Sequence, residues 1–167
     1  MRTTTKPLLD LTAADLMSRD LITIPQQMSI RAAAHLLSQA QVSGAPVVDN
    51  QGRCVGILSA TDLVHWLDRE GVAARRGFNS SRCVCTEWQV LDLESLPADE
   101  VSRHMTTDLV KAERYTPIGE LARSMLDAHI HRVVVTDAEG RPVGIVSSTD
   151  ILAAVARLDH RLTAGRR

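Results

Sequence analysis

The chain has 167 residues, a formal net charge of −1 and a pI near 6.6, so nothing in its charge calls for nucleic acid or an anionic membrane as partner. Hydrophobic residues make up an ordinary 44%, but aromatics only 2%, which leaves Leu, Val, Ile and Ala to build the core. No apolar run nears the roughly 20 residues that span a bilayer, residues 1–6 lack the apolar stretch of a signal peptide, and three cysteines do not make a secreted disulfide framework, so a cytoplasmic location is expected.

Residues 1–11 read as a tail. Thr12 to Asp15 forms a capping-box pattern for a short helix ending near Met17. Leu21–Ile24 reads as a strand stopped by Pro25. Ser29 is an N-cap residue for a helix from Ile30 to Gln41, with Ile30, Ala33, Ala34, Leu37 and Ala40 on one face. Pro46–Val48 is a buried strand, Asn50-Gln51-Gly52 a turn, and Cys54–Leu58 the return strand of a hairpin. Ser59 to Asp62 then opens a helix reaching Arg69. The second half repeats this order: a strand at Val110, a helix started by Thr116 with Pro117 at its first position, a strand at Arg132–Thr136, a turn at Glu139-Gly140, a strand at Val143–Val146, and a last helix capped by Ser147 to Asp150.

The two halves are one pattern written twice without insertion, 88 positions apart from Met17 to Met105. Asp49 falls on Asp137, Gly52-Arg53 on Gly140-Arg141, Val55-Gly56-Ile57 on Val143-Gly144-Ile145, and Ser59, Thr61, Asp62 on Ser147, Thr149, Asp150. Such a repeat fixes the architecture: two β-α-β-β-α units of mixed α/β (α+β) class, at 12–70 and 101–158, packed about a pseudo-twofold axis into one module. A unit of about 55 residues is marginal alone, and a sheet with both helices on one face leaves the other face bare. Residues 71–100 join the repeats and 159–167 form a C-terminal tail.

No Ser-His-Asp order, glycine-rich dinucleotide loop, phosphate loop with Lys or His-Glu-x-x-His motif is present, so an enzyme is not expected. Binding chemistry sits in Ser59/Thr61/Asp62 and Ser147/Thr149/Asp150. Each triad ends a strand and starts a helix, where free N–H groups and the helix dipole favour an anion and a carboxylate can accept both hydroxyls of a vicinal diol. The same Ser-x-x-Asp spacing is also a plain capping box that needs no ligand.

The runs Asp15-Leu16-Met17-Ser18, Val42-Ser43-Gly44-Ala45-Pro46-Val47-Val48-Asp49 and Gly52 to Leu63, with their counterparts His104-Met105-Thr106, His131 to Val135 and Gly144 to Ile151, resemble the CBS-domain family. Two copies in order resemble its tandem arrangement, the Bateman module, a disc with two clefts. The resemblance implies regulatory binding of an adenine nucleotide (AMP, ADP or ATP), a homodimer, and an output on a separate protein. It implies one cleft of Ser18, Ile22, Val42, Gly44, Ile145, Ser147, Thr149 and Asp150, and a mirrored one of Ile57, Ser59, Thr61, Asp62, Thr106, Val110, Ile130 and Arg132. In these, Asp would hold ribose, apolar strand residues a base, and Ser18 or Thr106 a phosphate. His131 and Arg132 stand where the family places cationic phosphate ligands, while the first repeat has Ser43-Gly44, so the clefts are not equivalent.

The joint departs from the repeat. It carries a basic stretch, Arg75 to Arg82, and then Cys83-Val84-Cys85, whose thiols would share one face of a strand. Cys-x-Cys is one residue short of the usual zinc spacing, and no metal site is assigned. Two other readings therefore stand beside nucleotide sensing: a dimeric interaction scaffold with empty clefts, and a thiol or metal sensor through Cys83 and Cys85.

Overall fold

The computed structural model describes residues 6–69, 96 and 98–164. In chain order it has α1 (Ala13–Leu16), β1 (Ile24–Pro25), α2 (Ile30–Gln39), β2 (Gly44–Val48), β3 (Cys54–Ser59), α3 (Ala60–Arg69), β4 (Lys111–Glu113), α4 (Ile118–Asp127), β5 (Arg132–Thr136), β6 (Pro142–Ser147) and α5 (Ser148–Ala164), with 3-10 turns at Leu8–Asp10 and Val101–Arg103. The strands make two three-stranded sheets, ordered β1-β2-β3 and β4-β5-β6, each with one parallel and one antiparallel pairing. The class is mixed α/β, as the repeat predicts.

The compact units are offset from the sequence repeats. One comprises Ile22–Asp108, the other Met1–Leu21 together with Leu109–Arg167. Each repeat body thus folds with the leading segment of the other repeat.

In the unit Ile22–Asp108, Ser29 caps α2 by accepting the Ala32 N–H at 3.2 Å. Ile30, Ala33, Ala34 and Leu37 are buried, and each large aliphatic side chain removed from water contributes about 1.5–3 kcal/mol. The helix ends two residues before the expected Gln41, because Gln41 adopts a left-handed backbone with φ 54°. Its N–H donates to the Ser38 carbonyl and that of Val42 to the Leu37 carbonyl, a closing motif that turns the chain into β2. The core holds Ile24, Val47, Leu58 and Leu63, and also Leu96 and Val101 from beyond the repeat body. Val101 donates to the Met28 carbonyl at 2.8 Å, and Ile57 and Thr106 exchange two backbone bonds of 3.0 Å. Gly56 is required there, since a Cβ would lie 2.9 Å from Met105 Cγ and 3.1 Å from the Thr106 carbonyl.

The unit of 1–21 and 109–167 is built alike. His129, with φ 52°, and Ile130 close α4 onto Leu126 and Met125 as Gln41 and Val42 close α2. Ala13 and Met17 join Leu121, Val133, Val135 and Val146 in the core. Ser18 and Ile145 exchange backbone bonds of 2.9 and 3.1 Å, and a Cβ on Gly144 would stand 2.8 Å from Met17 Cγ. The capping box holds too: Asp15 accepts the Thr12 N–H at 3.0 Å and the Thr12 hydroxyl at 2.9 Å.

Three further expectations are corrected. The first strand is not Leu21–Ile24 but Ile24–Pro25, because only Ile24 and Pro25 pair with Val47 and Val48. Val110 lies just before its strand, since Lys111, Ala112 and Glu113 are the residues in register with Val134, Val135 and Thr136. Pro117 is the N-cap of α4, extended at ψ 151°, and the helix starts at Ile118.

Candidate strand-to-helix binding sites

Both Ser-x-x-Asp segments sit where an outer strand feeds a helix. In the unit Ile22–Asp108, Asp62 Oδ2 accepts the Ser59 N–H at 2.7 Å and the Ser59 hydroxyl at 2.6 Å. The Ser59 oxygen in turn accepts the Asp62 N–H at 3.4 Å, so the pair is a reciprocal cap. Asp62 Oδ1 accepts the Thr106 hydroxyl at 2.8 Å. Thr61 is exposed beside it.

The other unit reproduces the cap within a few tenths of an ångström. Asp150 Oδ2 accepts the Ser147 N–H at 2.7 Å and hydroxyl at 2.6 Å, and the Asp150 N–H donates to Ser147 Oγ at 3.2 Å. Ser18 occupies the place of Thr106, bonded through its backbone to Ile145. Among the described residues, however, no side chain donates to Asp150 Oδ1, and the Ser18 hydroxyl makes no bond to it.

The neighbours of each Asp follow from strand pairing. Gly44 is the partner of Ser59 across β2 and β3, and the Ala60 N–H donates to the Ser43 carbonyl at 2.9 Å. Gly44 has no Cβ because one would stand 3.0 Å from the Leu58 carbonyl. Ile22, Val42, Gly44, Ile57, Ser59, Thr61, Asp62 and Thr106 therefore share one unit. Arg132 is the partner of Ser147, and the Ser148 N–H donates to the His131 carbonyl at 2.9 Å. Val110, Ile130, His131, Arg132, Ile145, Ser147, Thr149, Asp150 and Ser18 share the other. This grouping keeps Ser18 with the Asp150 junction and Thr106 with Asp62, as the resemblance implies. By unit, Ile22, Val42 and Gly44 fall with Asp62, and Val110, Ile130 and Arg132 with Asp150; Gly44 and Arg132 are held there by the β2–β3 and β5–β6 hairpins.

A cleft of about 410 Å3 opens between α4 and α5 in the Asp150 unit. Met125, Leu126, Ile130, Ile151 and Leu152 make it apolar, and His129, His131 and Ser148 supply its polar groups. Leu126 is 74% exposed and Leu152 66%, so this face offers apolar surface to water. The expectations had not singled out this cleft; the signal was present as Leu126, Leu152 and Val155 on helix faces that the core does not use.

Cys54 is buried, its thiol 3.5 Å from the Gly56 carbonyl, a packing role. Cys83 and Cys85 lie outside the described residues. Among the described residues no three His, Cys, Asp or Glu side chains are placed to hold a metal ion, and no helix is long and apolar enough to cross a membrane.

A family model described as CBS domain matches residues 13–69 and 98–157. A CBS domain-containing protein of Dictyostelium discoideum is 30% identical over 137 residues, covering 82% of this chain and 86% of that one. The 5′-AMP-activated protein kinase subunit gamma-3 of Sus scrofa is 27% identical over 140 residues, 82% of this chain but 24% of its own length. Several curated relatives are much longer, and the chain spans about a quarter of their length. Among solved structures, the CBS domain pair of protein MJ0100, in complex with 5′-methylthioadenosine and S-adenosyl-L-methionine, aligns with a TM-score of 0.62 at 25% identity, over 94% of this chain and 98% of that one.

Proposed function

The chain belongs to the CBS-domain family, and from this we propose that it is a regulatory module, not a catalyst, that binds an adenosine-containing nucleotide and signals to a separate protein. The observation that carries the reading is the Asp150 junction. Ser147 fixes one carboxylate oxygen through two short bonds, while the other has no protein donor among the described residues. A carboxylate so oriented is ready to accept from a ribose diol, with charge-assisted bonds stronger than neutral ones. Val110, Ile130 and Ile145 would flank the base. Ser18, His131, Arg132 and the N-terminal amides of α5 would meet phosphate. Ile22, Val42, Gly44, Ile57, Ser59, Thr61 and Asp62 would make the corresponding site of the other unit. The protein MJ0100 pair, solved with two adenosine derivatives, supports the ligand class, and the kinase gamma subunit supports the regulatory role.

The working form is a homodimer. Leu126, Leu152 and Val155, exposed by 74%, 66% and 46%, give α4 and α5 an apolar face that a second copy would cover. Light scattering at micromolar concentration should return twice the chain mass, and a monomer would count against this.

Calorimetric titration with AMP, ADP, ATP, 5′-methylthioadenosine and S-adenosylmethionine tests the ligand. Binding should raise the melting temperature, since a ligand held only by the folded state stabilises it by RT ln(1 + [L]/Kd). Asp150→Ala should weaken affinity roughly tenfold to a hundredfold, the worth of one charge-assisted hydrogen bond. Because Asp150 also caps α5, both proteins must be compared where they remain folded. A wild type that binds none of these compounds would leave the scaffold reading in its place.

A further inference from the structure

The two junctions differ at one atom. Asp62 Oδ1 accepts the Thr106 hydroxyl at 2.8 Å, whereas Asp150 Oδ1 accepts nothing from Ser18, which occupies the matching place. In both, Oδ2 is already saturated by the serine N–H and hydroxyl. A carboxylate oxygen offers two lone pairs and the two hydroxyls of a diol need both; at Asp62 Oδ1 the Thr106 hydroxyl holds one of them.

We propose that Thr106 is a built-in latch on Asp62, so that Asp150 is the primary diol-binding carboxylate and Asp62 accepts a ribose only when Thr106 lets go. This rests on the adenosine reading above and assigns an order to its two sites. The chemistry of the pair of residues explains the difference. Threonine is branched at Cβ and stiff about χ1, so a Thr held by its backbone bonds to Ile57 keeps its hydroxyl aimed at the carboxylate. Serine in the same backbone frame, bonded to Ile145, has no second substituent to restrict its rotamer and is free to turn away. Both residues are exposed, so exchanging them should not disturb a core.

Adenosine is the appropriate probe, because it carries the diol without a phosphate that Ser18 or Thr106 could meet. The amide signals of Ser147 and Asp150, and of Ser59 and Asp62, report the two sites separately in a nuclear magnetic resonance titration. In the wild-type chain the Asp150 site should saturate at a roughly tenfold lower adenosine concentration, the cost of giving up one hydroxyl-to-carboxylate bond. Thr106→Val, which keeps the shape and removes the hydroxyl, should tighten the Asp62 site and close the gap. Ser18→Thr should weaken the Asp150 site in the opposite sense. With 2′-deoxyadenosine, which lacks the diol, the gap should vanish in all three proteins.

Equal wild-type affinities, or a gap that Thr106→Val leaves unchanged, would overturn the latch while leaving the adenosine reading intact. If AMP moves these amides and adenosine does not, the diol is not what the carboxylates hold, and the latch falls alone. If neither compound moves any of them, the adenosine reading fails and takes the latch with it.

Discussion

Because each repeat body folds with the other repeat's leader, cutting the chain between the repeats should be more damaging than cutting it between the units. A fragment of residues 1–72 keeps α2, β2, β3 and α3 but loses Leu96, Val101, Met105 and Thr106. Leu96 is 1% exposed and Val101 0%, and burying such side chains contributes about 1.5–3 kcal/mol each. Five backbone bonds go as well: Val101 to Met28, Ser102 to Gln26, Ile30 to Asp99, and the exchanged pair between Ile57 and Thr106, worth about 0.5–1.5 kcal/mol each. The loss is about 5–14 kcal/mol, comparable with the whole stability of a small domain at about 5–15 kcal/mol. A fragment of residues 22–108 keeps all of these contacts. Urea unfolding followed by far-UV circular dichroism should therefore give a cooperative transition for 22–108 and none, or a far earlier one, for 1–72. In the full chain, Val101→Ala should cost about 1–3 kcal/mol as a large-to-small change in a packed core. If 1–72 matches 22–108 and Val101→Ala is neutral, the exchange of leaders does not hold the fold.

What the residue pattern could reveal depended on the range of the interaction. Helix α2 was legible because its cap at Ser29 and its buried face from Ile30 to Leu37 are local. The hairpin turns were legible for the same reason: Asp49 collects the amides of Gln51 and Arg53, Asp137 those of Glu139 and Arg141, and Gly52 and Gly140 both take φ 77°. The Ser-x-x-Asp junctions are likewise only four residues long. Strand β1 was misplaced because two residues carry too little pattern, and their register is set by Val47 and Val48, over twenty positions away. The offset between units and repeats was hidden by the repeat itself. Met17 fits against Gly144 and Met105 against Gly56, but in a duplicated sequence Met17 would fit Gly56 as well on pattern alone. Only the three-dimensional path of the chain chooses. The difference at Asp62 was beyond reach too, since Thr106 and Ser18 are interchangeable as hydroxyl residues until a rotamer is fixed.

Two further outcomes follow from the same contacts. The Arg53 amide foremost, against a smaller opposing effect of burial and aided by the Arg53 guanidinium and the Gln51 amide, holds the Asp49 carboxyl below the usual range. A carboxylate with a depressed folded-state pKa stabilises the fold above its unfolded pKa of about 3.9, and that contribution disappears as pH falls through the folded value. Asp49→Asn should thus lower the urea midpoint at pH 7, with the gap to wild type closing below about pH 4; a gap constant down to pH 2.5 would exclude the charge as its cause. The second outcome tests the exchanged leaders in the intact chain. A methyl group on Gly144 would press into Met17, whose Cβ and Cγ lie 2.9 and 2.8 Å from the added carbon. Overpacking of this kind costs about 1–3 kcal/mol. Removing Met17 Sδ and Cγ should give part of that strain back, so Gly144→Ala should cost less in a Met17→Ala background than in wild type. Met105 packs on Gly56 in the other unit, so Met105→Ala should leave the cost of Gly144→Ala unchanged within the about 0.5 kcal/mol expected of independent sites. Double-mutant cycles from urea unfolding supply all the numbers required. Coupling of Gly144 to Met105 with none to Met17 would mean that each leader packs on its own repeat body, and the exchange would be refuted.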